Sequence, residues 1–302
     1  MASERQTYAK AGVSIEKAGA VVERLRAAVE STGATGFGAF AGVHSLDETR
    51  LLAASTDSVG TKLVLARARG ALRNCGADLA AHCINDVLTC GAEPLLFLDY
   101  VAANRIELEQ VAELVEGAAE VCRVAGVALV GGETAELPGI YREGELDFAG
   151  TCVGIVDRDR VIDGSRIDAG DSVVGLPSAG VHANGFTLVR RILELEDYDE
   201  DDLLASTRLY LDDVRQLRER TDVRGLAHVT GGGIFGNLAR IMPEGLAAEL
   251  DWSSWDRPPV FGWLARHVEE DELRRVFNLG IGYIAVVSDP GDDLVIGTIV
   301  RV

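Results

Sequence analysis

Two short stretches bring an acid, a glycine and a lysine or hydroxyl together after an apolar run. The first is Asp57-Ser58-Val59-Gly60-Thr61-Lys62, behind Leu51-Leu52-Ala53-Ala54; the second is Gly131-Gly132-Glu133-Thr134, behind Val127-Ala128-Leu129-Val130. Each apolar run reads as a buried strand, so each acid is expected where a strand gives way to a loop, the place where open α/β sheets bind ligands. A carboxylate there suits a divalent cation, Gly60 allows close backbone approach, and Lys62 meets an anion. A third acid comes from a helix expected over about Asp78 to Cys90. There His82, Asn85, Asp86 and Thr89 stand at i, i+3, i+4 and i+7 and share a face. Asp57, Asp86 and Glu133 together, with Asn85 beside them, form the oxygen-rich set that Mg²⁺ prefers. Each piece also has a plainer reading: a polar loop, a solvated helix face, a turn.

The elements that must position these residues can be read from the chain's periodicity. Ser14 caps a helix with Ile15, Ala18, Val22, Leu25 and Val29 on one stripe, read as core packing. Gly33 to Gly42 is glycine-dense and contains a formal G-x-G-x-x-A. It follows a helix rather than a strand, so it reads as a loop able to close over a ligand and not as a dinucleotide fingerprint. Leu95 to Val101 and Leu146 to Val156 read as strands, and Glu107 to Ala125 as a helix closed by Gly126. The charged, turn-rich run from Asp157 to Arg166 places a domain boundary near Asp163, giving domains of residues 1–163 and 164–302. The second half holds two strand, glycine-rich loop, helix units. Val173 to Leu176 leads into a loop containing His182, Asn184 and Gly185; Leu226 to Val229 leads into Thr230-Gly231-Gly232-Gly233. Such loops aim backbone N–H groups at an anion. No G-x-x-x-x-G-K-[ST] and no G-x-S-x-G occurs.

Composition narrows the class. A net charge of −19 over 302 residues argues against nucleic acid or an anionic membrane as partner, so a bound anion must be held locally by loops, cations or metal. No run reaches the roughly 18 apolar residues of a membrane span, and the polar start Met-Ala-Ser-Glu lacks a signal-peptide core; a cytoplasmic protein is expected. The five cysteines lack a C-x-x-C pair and read as buried free thiols. Lysine occurs only at Lys10, Lys17 and Lys62, which sets Lys62 apart in a chain that otherwise uses arginine.

Several motifs, taken in order, resemble the phosphoribosylformylglycinamidine cyclo-ligase (aminoimidazole ribonucleotide synthetase) family. They are Asp57 to Lys62, Cys83-Ile-Asn-Asp-Val87, Gly91 to Tyr100, Gly131 to Tyr141, Ser178 to Gly185, Thr207-Arg-Leu-Tyr210, His228-Val-Thr-Gly-Gly-Gly233 and Phe277 to Gly282. The resemblance implies an α/β (α+β) protein whose N-terminal sheet pairs across a homodimer, with a C-terminal mixed α/β domain. It implies that ATP phosphorylates the formyl amide oxygen of formylglycinamidine ribonucleotide and that the amidine nitrogen then closes the ring. Asp57, Asp86 and Glu133 would hold Mg²⁺; Lys62, Asp57 and His182 would act in catalysis. Gly60, Thr61, Lys62, Asn85, Thr134, His182, Asn184, Gly185, Gly231, Gly232 and Gly233 would bind the nucleotide. Ser58 stands where the family has glycine and Ala183 where it has serine. The segment before Thr207 is short, and only Ser288 to Leu294 separates two strands that the family joins through a further helix. The alternatives are another ATP-using enzyme of the superfamily (formylglycinamidine ribonucleotide synthetase, selenophosphate synthetase or thiamine-monophosphate kinase) or a non-catalytic nucleotide-binding relative. The lack of a cysteine before Cys75 disfavours the selenophosphate enzyme.

Overall fold

A computed structural model describes residues 5–34 and 37–302; Met1 to Glu4 and, within the glycine-dense loop, Thr35 and Gly36 lie outside it. Two five-stranded sheets organise the chain. The first contains β1 (Gly42–Ser45), β2 (Arg50–Ser58), β3 (Glu93–Ala103), β4 (Ala128–Glu136) and β5 (Leu146–Asp157), in the order β1-β2-β5-β3-β4. Only β3 and β4 run parallel, joined through α4 (Leu108–Ala125), which Gly126 closes at φ 70. The second sheet contains β6 (Ser172–Pro177), β7 (Val223–His228), β8 (Leu246–Leu250), β9 (Ile281–Val287) and β10 (Val295–Arg301), ordered β7-β9-β6-β10-β8 with every pair antiparallel.

The remaining helices are α1 (Ile15–Glu30), α2 (Lys62–Ala68), α3 (Leu72–Leu88), α5 (Phe186–Leu193), α6 (Leu211–Arg220), α7 (Gly233–Leu238), α8 (Pro259–Leu264) and α9 (Glu270–Val276). In α3, Gly76 meets α4 so closely that a Cβ there would lie 1.9 Å from the Leu114 carbonyl oxygen. The opposite side of α3 packs against the second half of the chain, and one apolar core runs through both halves from Leu79 and Ile84 to Leu226 and Tyr283. The face carrying His82, Asn85, Asp86 and Thr89 is therefore buried, not solvated. From Asp78 to Leu88 every residue of α3 is buried.

Three expectations change. The stripe on α1 is not core packing: no residue of α1 is buried, and Val22 and Leu25 are 37% and 47% exposed. Its residues line a cavity instead, as described below. The glycines at Gly131 and Gly132 do not end a strand; β4 continues to Glu136. A Cβ on Gly132 within it would fall 2.7 Å from the Asp99 carbonyl oxygen, so the position favours glycine. Lys62 opens a helix instead of lying in the loop. Ser288 to Leu294 contains no helix, in keeping with its seven residues, and all five cysteines are buried and free. The first sheet's other face, with Leu98 and Val130 exposed at 40% and 58%, is left uncovered over β3 and β4 by the described residues.

Candidate active site

The carboxylates gather where α3 crosses the end of β2. Asp57 is half-buried near that end, its Oδ1 accepting the Ser58 amide at 2.7 Å and its Oδ2 lying 3.6 Å from His82 Nε2. Asp86, one turn beyond His82 on α3, is buried; its Oδ1 accepts from His228 Nδ1 at 2.8 Å and its Oδ2 from Ser55 Oγ at 2.9 Å. Strand alternation puts Ser55 and Asp57 on the same, helix-facing side of β2. The His82 and His228 rings meet edge to face with centroids 4.6 Å apart.

Burial sets the electrostatics. Desolvation raises Asp86 to about 6, with His82 and Ser55 pulling the other way, and it lowers His228 to about 3. The same cause holds His82 below, and His182 well below, the usual histidine value. The histidines are thus neutral near pH 7. In His228 the hydrogen on Nδ1 points at Asp86, leaving Nε2 as a buried lone pair with no protein partner among the described residues.

The two glycine-rich loops of the second half close over this cluster. Asn184 of the first reaches His82 Nε2 with its Nδ2 at 3.3 Å, and a Cβ on Gly231 of the second would sit 3.7 Å from Asn184 Oδ1. Gly185 and Gly232 cap α5 and α7 with φ of 78 and 102, a backbone that favours glycine. Asn237 secures the second loop by donating to the Gly233 carbonyl at 2.8 Å. His182 is held at φ 64, unusual for a residue with a side chain.

Outside the cluster are two large concavities. One, of about 1070 Å³, lies between α1, Phe37 to Ala39, the outer face of β1 and β2, and Gly231, Gly232 and Gly236. Arg240 stands at its inner end: the guanidinium lies 3.7 Å from the Phe40 ring centroid and donates to the Gly38 carbonyl, while Asp86 and Asp57 attract it. The other, of about 770 Å³, is bounded by Gly60, Thr61, Arg67, Tyr141 and Arg190. The guanidinium groups of Arg67 and Arg190 make no hydrogen bond or ion pair among the described residues, and Thr61 and Thr187 share a hydroxyl contact of 2.9 Å beside them.

Not all the expected residues converge. Glu133 sits on β4, three strands from β2 and so about 14 Å away. Registers link Asp57, Gly150, Asp99 and Gly132 on the helix side, which puts Glu133 on the opposite face; Thr134 is exposed on the same edge strand. Among the described residues no three acidic, histidine or cysteine side chains are grouped to hold a metal. Asn85 is engaged with the second half, accepting from the Tyr210 amide at 3.0 Å and donating to the Arg208 carbonyl at 2.9 Å. Lys62 is fully buried, with all its donors on protein atoms. Sequence reasoning assigned no role to His228, though it opens the quoted His-Val-Thr-Gly-Gly-Gly motif; Ser55 and Arg240 carried no signal at all.

Residues 38–156 match the family described as AIR synthase related protein, N-terminal domain, and residues 168–298 its C-terminal domain. A phosphoribosylformylglycinamidine cyclo-ligase of Synechococcus sp. is 47% identical, covering 96% of this chain and 90% of its own. The Sorangium cellulosum cyclo-ligase is also 47% identical, over 95% and 89%. Among solved structures, thiamine monophosphate kinase from Aquifex aeolicus superposes with a TM-score of 0.63 at 15% identity, covering 96% of this chain and 95% of that one. Escherichia coli HypE, a hydrogenase maturation protein, gives 0.61 at 21%, over 83% and 80%. T. maritima PurL complexed with ADP gives 0.60 at 20%, over 89% of this chain and 43% of that one. These likenesses establish a shared fold.

Proposed function

The chain belongs to the phosphoribosylformylglycinamidine cyclo-ligase family, ATP-dependent enzymes that form a C–N bond in purine biosynthesis, and from that premise we propose how its site is divided between nucleotide and substrate. ATP lies in the larger cavity, its base against the apolar stripe of α1 and Phe37, its phosphates along Gly231 to Gly233 toward Asp57. Arg240 is the observation that carries this reading, because it joins the cavity to the carboxylates. Formylglycinamidine ribonucleotide occupies the smaller basin, where Arg67 and Arg190, whose guanidinium groups have no partner among the described residues, suit its phosphate. β2 and the turn after it run between the two, so the phosphoryl group crosses at Asp57 to Thr61.

Mg²⁺ commonly takes one or two carboxylates and completes its shell with phosphates and water. Asp57 fits that role, since its Oδ2 makes no hydrogen bond among the described residues, and Asp86 could add a lone pair beyond those facing His228 and Ser55. A cation held there would neutralise charge on the phosphates. Glu133 faces the side on which a second subunit is expected, so any ligand role for it belongs to the homodimer.

The residues have distinct tasks. Transfer of the γ-phosphoryl to the formyl oxygen turns a poor leaving group into phosphate, and the amidine nitrogen then attacks that carbon. His228, lowered to about 3 by burial, is a poor proton acceptor and instead fixes the Asp86 carboxylate through its Nδ1 hydrogen, and the proton released by the attacking nitrogen leaves with the departing phosphate. His182 and Asn184 shape the loop over the reacting atoms, and burial keeps water from the activated intermediate. Incubating the protein with formylglycinamidine ribonucleotide, ATP and Mg²⁺ must yield aminoimidazole ribonucleotide, ADP and phosphate. ATP binding without product would instead support a non-catalytic relative.

A further inference from the structure

Lys62 and Asp78 form an ion pair at 2.7 Å in which neither side chain has any solvent exposure. Removing two charges from water costs more than their attraction returns unless the remaining donors and acceptors are satisfied. Where those other bonds go therefore shows what the pair holds. Lys62 Nζ donates to the backbone carbonyls of His182 at 2.8 Å and Ala205 at 2.9 Å. Asp78 Oδ1 accepts from the amide and the hydroxyl of Thr207 at 2.7 and 2.8 Å. The pair sits on α2 and α3 of the first half, and every further bond lands on the second half, at the loop over the site and the segment after it.

The His182 carbonyl is the notable partner. The left-handed region is disfavoured for a residue with a side chain, whereas a hydrogen bond from a charged donor is among the stronger kinds. The Lys62 ammonium can thus offset the strain at φ 64. The same conformation lets His182 Nε2 accept the Ala179 amide at 3.3 Å and places Asn184 against His82.

We infer that Asp78 is a positioning residue for catalysis: it anchors the Lys62 ammonium, which in turn holds the His182 carbonyl and the loop from Ser178 to Gly185 in place over the reacting groups. The inference rests on reading that cluster as the active site. It gives Lys62, the lysine of the motif, a backbone to hold in place of a phosphate.

Three variants test it: Asp78→Asn, Lys62→Met, and Lys62→Met with Asp78→Leu, in which an apolar pair replaces the ions. The measurements are kcat, KM for ATP, thermal midpoint, and imidazole NMR signals, in a chain with five histidines. Each single variant loses on the order of 10²-fold in kcat with little change in KM, and the His182 signals move. The double variant recovers the thermal midpoint but not kcat, and it carries the test if a single variant does not fold. Recovery of both in the double variant would make the pair merely structural and overturn the inference. So would full kcat in Asp78→Asn beside an inactive Lys62→Met, which would mean that Lys62 acts on the phosphate itself. If the unaltered protein makes no aminoimidazole ribonucleotide, the cyclo-ligase reading fails separately, and the His182 signals in Asp78→Asn still decide the positioning role.

Discussion

Replacing Asp86 by asparagine should stabilise the protein while disabling it. The Asp86 carboxylate is buried, and desolvation raises it from an ordinary 3.8 to about 6. A raised carboxylate is one whose ionised form the fold disfavours. About two units at 1.36 kcal/mol each make roughly 3 kcal/mol of cost at pH 7.5, a cost that vanishes below the unfolded value. Asparagine keeps the shape: its oxygen can accept from His228 and its amide can donate to a rotated Ser55 hydroxyl. Those bonds become weaker when neutral, so the net gain should be about 1–2 kcal/mol, or roughly 2–6 °C in thermal midpoint for a chain of this size. The assay is thermal unfolding of both proteins, free of nucleotide and with chelator, at pH 7.5 and pH 5. At pH 5 most of the native Asp86 is already protonated, so the advantage of asparagine should shrink by between 1 and 2 kcal/mol. Turnover, measured alongside, should fall by on the order of 10²-fold. A variant equally destabilised at both pH values would show that the carboxylate is well solvated or well paired, and the electrostatic account of the site would be wrong.

Other outcomes follow from the same contacts. Stability should fall as pH drops below about 6.5. His228, lowered to about 3, resists a proton that the unfolded chain accepts, costing about 2 kcal/mol by pH 5. His82 and His182 act in the same direction and Asp86 opposes them; urea midpoints across that range check the sign. Gly233→Ala should prevent stable folding or lower the thermal midpoint severely, because the residue has φ 65 and its Cβ would lie 1.9 Å from the Arg274 carbonyl oxygen. Light scattering after size exclusion should give a dimer for the unaltered chain and a monomer for Leu98→Asp with Val130→Asp, two exposed residues of β3 and β4.

Much of the site's chemistry was legible in the chain. Asp57, Asp86 and the two glycine-rich loops belong to motifs in which residue type and spacing carry the meaning, and the strands behind them are apolar runs that periodicity finds. The ends of elements were less legible. Gly131 and Gly132 look like a stop, yet β4 continues, since a glycine there makes room for Asp99 from the neighbouring strand. That misreading put Glu133 in a loop beside Asp57 when pleating and three strand spacings separate them.

Which residues face one another is decided across the chain and not along it. His228 meets Asp86 over 142 positions, Lys62 meets His182 over 120, and Arg240 reaches Gly38 over 202. No local pattern encodes such pairs, because they exist only once the two halves pack together. The sequence alone determined the family, the ATP-dependent chemistry and the list of acids and glycines. Only the tertiary structure decided that the polar face of α3 is dry, that His82, His182 and His228 around it are neutral, and that Lys62 holds a backbone in place of a phosphate. The physical reason is common to all three: burial between two packed halves removes water, and charge and hydrogen bonding must then be satisfied by whatever the fold brings near.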